Sequence, residues 1–223
     1  MKYDLENINA RFGIGSQKWQ EMKNNPLVDE KVIPFSVADM EFKLAPEITE
    51  GLKKFIDDNI LGYAGTNKKY RENVCKWQQK HHDFTVDEKW LVETHSVVNA
   101  FFTAVKAFTQ KGDGVMLFTP VYYPMYKAIE INQRKLVEIP LINNGMTYDI
   151  DWDLFTKKAK AIDTKMLILC SPHNPCGRIW TREELTKISE ICLVNDILVV
   201  ADEIHADLIM PGFKHVSYGT ISK

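Results

Sequence analysis

Short apolar runs ended by polar residues alternate along most of this chain with longer stretches that are apolar on one side only. Met166–Cys170 and Ile197–Ala201 are such runs, and their shape suits strands buried on both faces. Between them, Thr181-Arg-Glu-Glu184 has the form of a capping box and opens a helix expected to reach about Asn195. Strand, helix and strand in that order predict a right-handed crossover joining a parallel pair.

The same alternation runs upstream. Pro46 suits a first helical turn, and Ile48, Leu52, Phe55 and Ile56 fall on one face of a helix reaching Ile60. Gly62-Tyr-Ala-Gly65 breaks it. A second helix is expected from about Asn67 to His81, with Tyr70, Val74 and Trp77 on one side. Trp90–Thr94 reads as a strand, Val97–Thr109 as a helix, Val115–Phe118 as a strand, and the loop from Thr119 to Pro124 opens a helix to about Asn132. Lys135–Ile139 is a further strand, Asn143-Asn-Gly145 a tight hairpin-like turn, and Trp152–Lys160 a helix. Residues 1–35 are weakly patterned, with an amphipathic piece around Ser16–Met22, and Ile33–Ala38 reads as a short extended segment. The fold class implied is α/β, a mostly parallel sheet with helices on both faces.

Composition changes little. The chain has 223 residues, 45% hydrophobic and 26% charged, an ordinary globular balance. A net charge of −2 without a basic run gives no reason to expect nucleic acid. No apolar stretch is long enough to span a bilayer, and the first residues lack a signal-peptide core, so a cytoplasmic location is expected. Cys75, Cys170, Cys176 and Cys192 show no Cys-x-x-Cys pairing and read as reduced thiols, Cys170 and Cys192 in the core.

The candidate chemistry collects where the two central strands end. Asn174 follows the first, and Asp202 and His205 follow the second. In an open α/β sheet that edge is where ligands bind. Ser96-Val-Val-Asn99 opens a helix after an expected strand, and a helix N-terminus offers free N–H groups to an anion. It lacks the glycines of a nucleotide-binding fingerprint. Bland readings stand beside these. Asp202 on local sequence alone is a strand-end carboxylate capping the next segment, Asn174 an Asx-turn residue, His205 a packed histidine and Ser96 an ordinary N-cap. A metal site from Asp202, Glu203, His205 and His173 is disfavoured, because no ligand frame is present and neighbours at a strand end diverge.

Ser-Pro-His-Asn-Pro-Cys-Gly-Arg-Ile-Trp at 171–180 and Asp-Glu-Ile-His at 202–205 resemble elements of fold-type I enzymes that use pyridoxal 5′-phosphate. With Ser-Val-Ala-Asp-Met-Glu-Phe at 36–42, they resemble the PatB/MalY branch, the cystathionine β-lyase-like proteins of the aminotransferase class. The resemblance covers essentially the whole chain.

It implies pyridoxal 5′-phosphate as cofactor, with Asp202 on the ring nitrogen and Asn174 and His205 near the phenolic oxygen. Ser96, Val97 and Val98 would seat the phosphate, and Tyr122 would stack on the ring, although Tyr123 and Tyr126 are neighbours that pattern alone does not exclude. Tyr63 would reach the cofactor of a partner subunit, making a homodimer, and Ala38 and Asp39 would meet the substrate carboxylate. Arg178 and Trp180 read as supports. The implied division is an N-terminal arm with part of a small domain at 1–45 and a cofactor-binding large domain at 46–223, incomplete at its C-terminus.

The implied activity is carbon–sulfur β-lysis of cystathionine or a cysteine conjugate, with homocysteine, pyruvate and ammonia released from cystathionine. The alternatives are amino transfer, which the same residues would serve, and a MalY-like regulatory role through protein contact. The Schiff-base lysine is expected beyond Lys223, because a strand of ordinary length must still cross the sheet before it.

Overall fold

The computed structural model describes residues 3–28 and 32–221. The chain divides into two compact units, residues 1–65 and 66–223. The first carries α1 (Gln17–Lys23) and α2 (Pro46–Asp58). In it Glu41, 8% exposed, lies among Arg11 (3.0 Å), Lys18 (3.1 Å) and the Trp19 indole N–H (2.6 Å). Burying a carboxylate is costly unless it is paired and hydrogen-bonded, and here both conditions are met. Ile33–Ala38 is irregular, with bends at 36–38 rather than an extended run. Lys18 donates to the carbonyl oxygens of Val37 (3.3 Å) and Asp39. The compact boundary falls after α2, whereas the sequence division falls before it.

The second unit is the α/β body. Its elements are α3 (Lys68–His82), α4 (Val97–Phe108), β1 (Gly114–Thr119), α5 (Tyr123–Ile131), β2 (Lys135–Pro140), the small hairpin β3 (Ile142–Asn143) and β4 (Tyr148–Asp149), α6 (Trp152–Ala159), β5 (Thr164–Cys170), α7 (Arg182–Val194) and β6 (Leu198–Asp202). Four parallel strands stand in the order β2-β1-β5-β6. The expected capping box is present, Thr181 accepting the Glu184 N–H and Glu184 the Thr181 N–H. Asn67, Ser96 and Asp151 cap α3, α4 and α6 with a single bond each, their side chains accepting the N–H of Tyr70, Asn99 and Leu154.

Period-two alternation sorts the strand residues onto two faces. Met116, Phe118, Val137, Ile139, Leu167 and Leu169 face α6 and α7, burying Phe155, Leu185 and Ile188. Val115, Leu117, Met166, Ile168 and Cys170 face α4 and α5, burying Phe101, Val105, Met125 and Ile129. A helix layer on each face explains why these strands read as unbroken apolar runs.

One expected strand is absent. Trp90–Thr94 instead follows a 3-10 turn at Glu88–Trp90 and stays irregular. The Asp87 side chain accepts the Lys89 N–H, and Arg71 takes the carbonyl of Glu88 (3.1 Å) in the turn and that of Leu91 (3.2 Å), which a ladder would need. Val92 is 83% exposed, so the apolar run there has no sheet to join. Among the described residues no helix is long and apolar enough to cross a membrane.

Phe155 is fully buried against Phe118, ring centroids 5.2 Å apart, while Phe108 is 66% exposed. Phe155→Ala is therefore expected to cost about 3–5 kcal/mol. Phe108→Ala is expected to stay within about 0.5 kcal/mol of the parent. Urea unfolding midpoints at unchanged slope measure both.

Candidate active site

The chain reverses direction between β1 and β5. From β1 it moves through α5 to β2 on one side, and from β5 through α7 to β6 on the other. Crossovers of one hand then put α5 and α7 on opposite faces, as observed. Such a switch point leaves a crevice at the carboxyl ends of the two strands. Tyr122 lies just after β1 and Asn174 just after β5. Asp202 ends β6 in register with Cys170, the last residue of β5. Ser96 reaches the same edge from the helix layer. The C-terminus of α4 is held at the opposite end, where Arg134 bonds the Thr109 hydroxyl at 2.8 Å and a short turn enters β1. Twelve helical residues then span about 18 Å, close to the length of the strands.

Several contacts tie the loops around this crevice. His173, 1% exposed, meets the Pro120 carbonyl through Nε2 at 2.8 Å, joining the β5 loop to the β1 loop. Burial pushes the His173 imidazole below its ordinary pKa, which suits a neutral ring donating one N–H. The Trp180 indole donates to the Cys170 carbonyl at 2.8 Å, and the Arg178 guanidinium lies over the Trp180 ring and pairs with Glu184 at 2.5 Å. The Asn174 backbone N–H donates to the Cys170 sulfur at 3.4 Å. Burial holds that thiol at a pKa of about 12, so it stays protonated. Cys176 lies in the same loop, its sulfur 3.9 Å from the Pro120 carbonyl.

Asp202 is 6% exposed, and its Oδ1 accepts one N–H, that of Ile204, at 3.2 Å. Burial raises its pKa, the Ile204 bond and the nearby His205 oppose that, and Glu203 adds to it. The Tyr122 phenol is raised too, by burial first, then by Tyr123 and by the Asp202 charge, so Tyr122 and Asp202 feel one another. Among the described residues the Asn174 side-chain amide has no hydrogen-bond partner. Ser96 Oγ accepts the Asn99 N–H at 3.1 Å. The N–H groups of Val97 and Val98 open the helix without intrahelical acceptors. One edge thus offers a helix N-terminus, a free amide, an aromatic ring and a buried carboxylate short of donors.

Asp39 is held by Arg11 (2.5 Å) and Lys18 (3.3 Å), and the Arg11 bond keeps its carboxyl below the usual range. Its side chain is thus engaged, and Lys18 also takes the backbone carbonyls of Val37 and Asp39 on either side of Ala38. Tyr63 is fully exposed. Ala38, Asp39 and Tyr63 all belong to the first unit. Lys223 lies outside the described residues. Among the described residues no cluster of His, Cys, Asp and Glu is placed to hold a metal ion. The Arg11, Lys18 and Glu41 network escaped the sequence reading. Arg11 and Lys18 lie seven apart with no periodic signal, and only the fold brings Glu41 to them.

Residues 30–222 match the aminotransferase class I and II family. The chain belongs to that family. Among its relatives is cystathionine beta-lyase PatB of Bacillus subtilis, 39% identical over 212 residues, which span 95% of this chain and 54% of that protein. Cystalysin from Treponema denticola, solved with a pyridoxal 5′-phosphate cofactor, superposes with a TM-score of 0.96 at 45% identity, over 100% of this chain and 57% of that one. The pyridoxal phosphate-bound C–S lyase from Staphylococcus hominis gives 0.90 at 30% identity, covering 98% and 55%. The chain spans about half the length of the curated relatives it matches. The family membership accounts for the mostly parallel sheet and for the aminotransferase-class motifs at 36–42, 171–180 and 202–205.

Because burial raises the Asp202 pKa, ionising it costs the folded state stability. That cost is absent below the unfolded aspartate pKa and complete above the folded one. Asp202→Asn is expected to raise the thermal midpoint of the ligand-free protein at pH 7, with the difference shrinking toward pH 3. Melting curves across that range check the sign.

Proposed function

We propose that this chain supplies the cofactor-binding domain of a pyridoxal 5′-phosphate-dependent carbon–sulfur β-lyase acting on cystathionine or related cysteine conjugates. The observation that carries the cofactor reading is the meeting of Asp202, Asn174, Tyr122 and the α4 N-terminus at one sheet edge. The donor set fits the group. The N–H groups of Val97 and Val98, with Ser96, suit a phosphate. The Asn174 amide suits a phenolic oxygen, and His205 stands three residues from Asp202 as a second donor near it. Tyr122 offers a ring face. Asp202, buried beside few donors, suits a protonated ring nitrogen, and that pairing would remove the penalty of its own burial. When bound, the cofactor supplies the electron sink for breaking bonds at the substrate α and β carbons.

The residues of this chain would then bind, orient and hold charge. Asp202 keeps the proton on the ring nitrogen. Neutral His173 holds the Asn174 loop against the loop carrying Tyr122. The backbone near Ala38, with Asp39 locked by Arg11, receives the substrate carboxylate. The lysine that would carry the cofactor belongs beyond Lys223 in this reading. The exposed Tyr63 is assigned to the cofactor of a second copy, in a homodimer. The N-terminal residues 1–45 are assigned to an arm and part of a small domain, and residues 46–223 to the large domain. The four free cysteines suit a reducing, cytoplasmic setting. Lysis is preferred to amino transfer because cystathionine beta-lyase PatB, at 39% identity over 95% of this chain, is more similar than the transaminase relative at 30%.

The full-length protein, given cofactor and cystathionine without any keto acid, is expected to release pyruvate and a thiol. Turnover only when a keto acid is added would replace lysis with amino transfer. Asp202→Ala is expected to lower the rate by about 10²-fold or more at saturating cofactor, and Cys176→Ala to change it little. Parent-like turnover in the Asp202→Ala protein would remove Asp202 from its assigned role.

A further inference from the structure

Asp202 and Glu203 are consecutive at the end of β6, so their side chains part. Asp202 turns toward the crevice and accepts the Ile204 N–H. Glu203 turns away and takes hold of the returning chain. Its Oε1 accepts the Tyr218 N–H at 2.6 Å, and its Oε2 accepts the Ser217 hydroxyl at 2.7 Å. Both are charge-assisted bonds at the short end of the range. They close a loop across 14 and 15 residues of sequence.

This is not a surface pairing. Ser217 is 1% exposed and His215 5%. His215 Nε2 stands 3.6 Å from Glu203 Oε2, and both its ring nitrogens lack a hydrogen-bond partner. His82 meets His215 edge-on at 5.7 Å and bonds Asp207 at 2.8 Å, with the Trp77 indole on the same carboxylate at 3.1 Å. The turn that begins at Glu203 is closed by Ala206 N–H on the Glu203 carbonyl at 2.9 Å. The peptide that donates to Asp202 is thus fixed on one side by this turn and on the other by the Glu203 side chain.

We infer that Glu203 is a positioning residue for Asp202: by clasping Ser217 and Tyr218 it holds the Ile204 N–H on the carboxylate that faces the cofactor. The inference rests on the cofactor reading above. Glu203 acts on Asp202 in two opposed ways. Its negative charge disfavours ionised Asp202, while its clasp preserves the Ile204 bond, the stronger influence and one that favours ionisation. His205, Tyr122 and Cys170 are the other titratable groups that interact with Asp202, and none is altered in the test.

Carboxyl-labelled aspartate in the cofactor-free protein lets NMR follow the Asp202 titration, assigned by its loss in Asp202→Asn. Glu203→Gln removes the charge and keeps acceptor and donor groups for the clasp, so the Asp202 midpoint is expected to fall. Glu203→Ala removes both, and its midpoint is expected above that of the Gln variant by about half a pH unit or more. Ser217→Ala keeps the charge, weakens the clasp, and is expected to raise the midpoint above the parent's. Equal midpoints for the Ala and Gln variants would overturn the inference. So would a parent-like midpoint in Ser217→Ala, which decides the matter if Glu203→Ala does not fold. Pyridoxal 5′-phosphate affinity, read by fluorescence on the full-length protein, is expected to drop about tenfold in Glu203→Ala and to stay within about twofold in Glu203→Gln. A parent that binds no pyridoxal 5′-phosphate would sink the cofactor reading and leave the titration result standing. A failed titration with intact binding would sink the clasp alone.

Discussion

The register between β5 and β6 sets where every candidate group stands. Cys170 pairs with Asp202 at the last rung of a parallel ladder, so both strands end level. The loop that follows β5 and the turn that follows β6 therefore begin at the same height. A slip of one residue would move Asp202 away from this edge and turn its carboxylate to the other face. Apolar alternation guards against that slip, because Leu167 and Leu169 are buried on one face and Met166, Ile168 and Cys170 on the other. The core thus positions the chemistry and touches it in two places, since Cys170 accepts the Asn174 N–H and Tyr122 packs against the same cluster.

What the site gains in placement it loses in solvation. Asp202 and His173 are both nearly closed off from water, and burial disfavours the charged form of each. For His173 the neutral form is the useful one, since a single N–H to Pro120 joins two loops. For Asp202 the ionised form is the one the proposed cofactor needs. An edge that is uncomfortable for a lone carboxylate is well suited to a carboxylate paired with a ring cation, which is a common bargain between stability and function.

The N-terminal unit follows different physics. Its small core surrounds an ion cluster, with Glu41 and Lys18 both buried and Asp39 at the margin. Glu41 keeps two cations and an indole N–H around it, which offsets the cost of burying its charge. The cluster holds the segment around Ala38 in one shape.

Local pattern was enough for much of this protein. The apolar runs at 166–170 and 197–201, the capping box at Thr181 and Glu184 and the N-cap at Ser96 are short-range signals, each expressing a preference of a few neighbouring residues. They determined the crossover, the helices and the motifs that point to the family. Trp90–Thr94 shows the limit, since a short apolar run makes a strand only where a partner edge exists. The strand order, the switch point between β1 and β5, the His173–Pro120 bond across 53 residues and the Glu203 bonds across 14 and 15 were decided only in three dimensions. Each is a pairing between segments far apart in sequence. Its strength depends on burial and geometry that no local window contains.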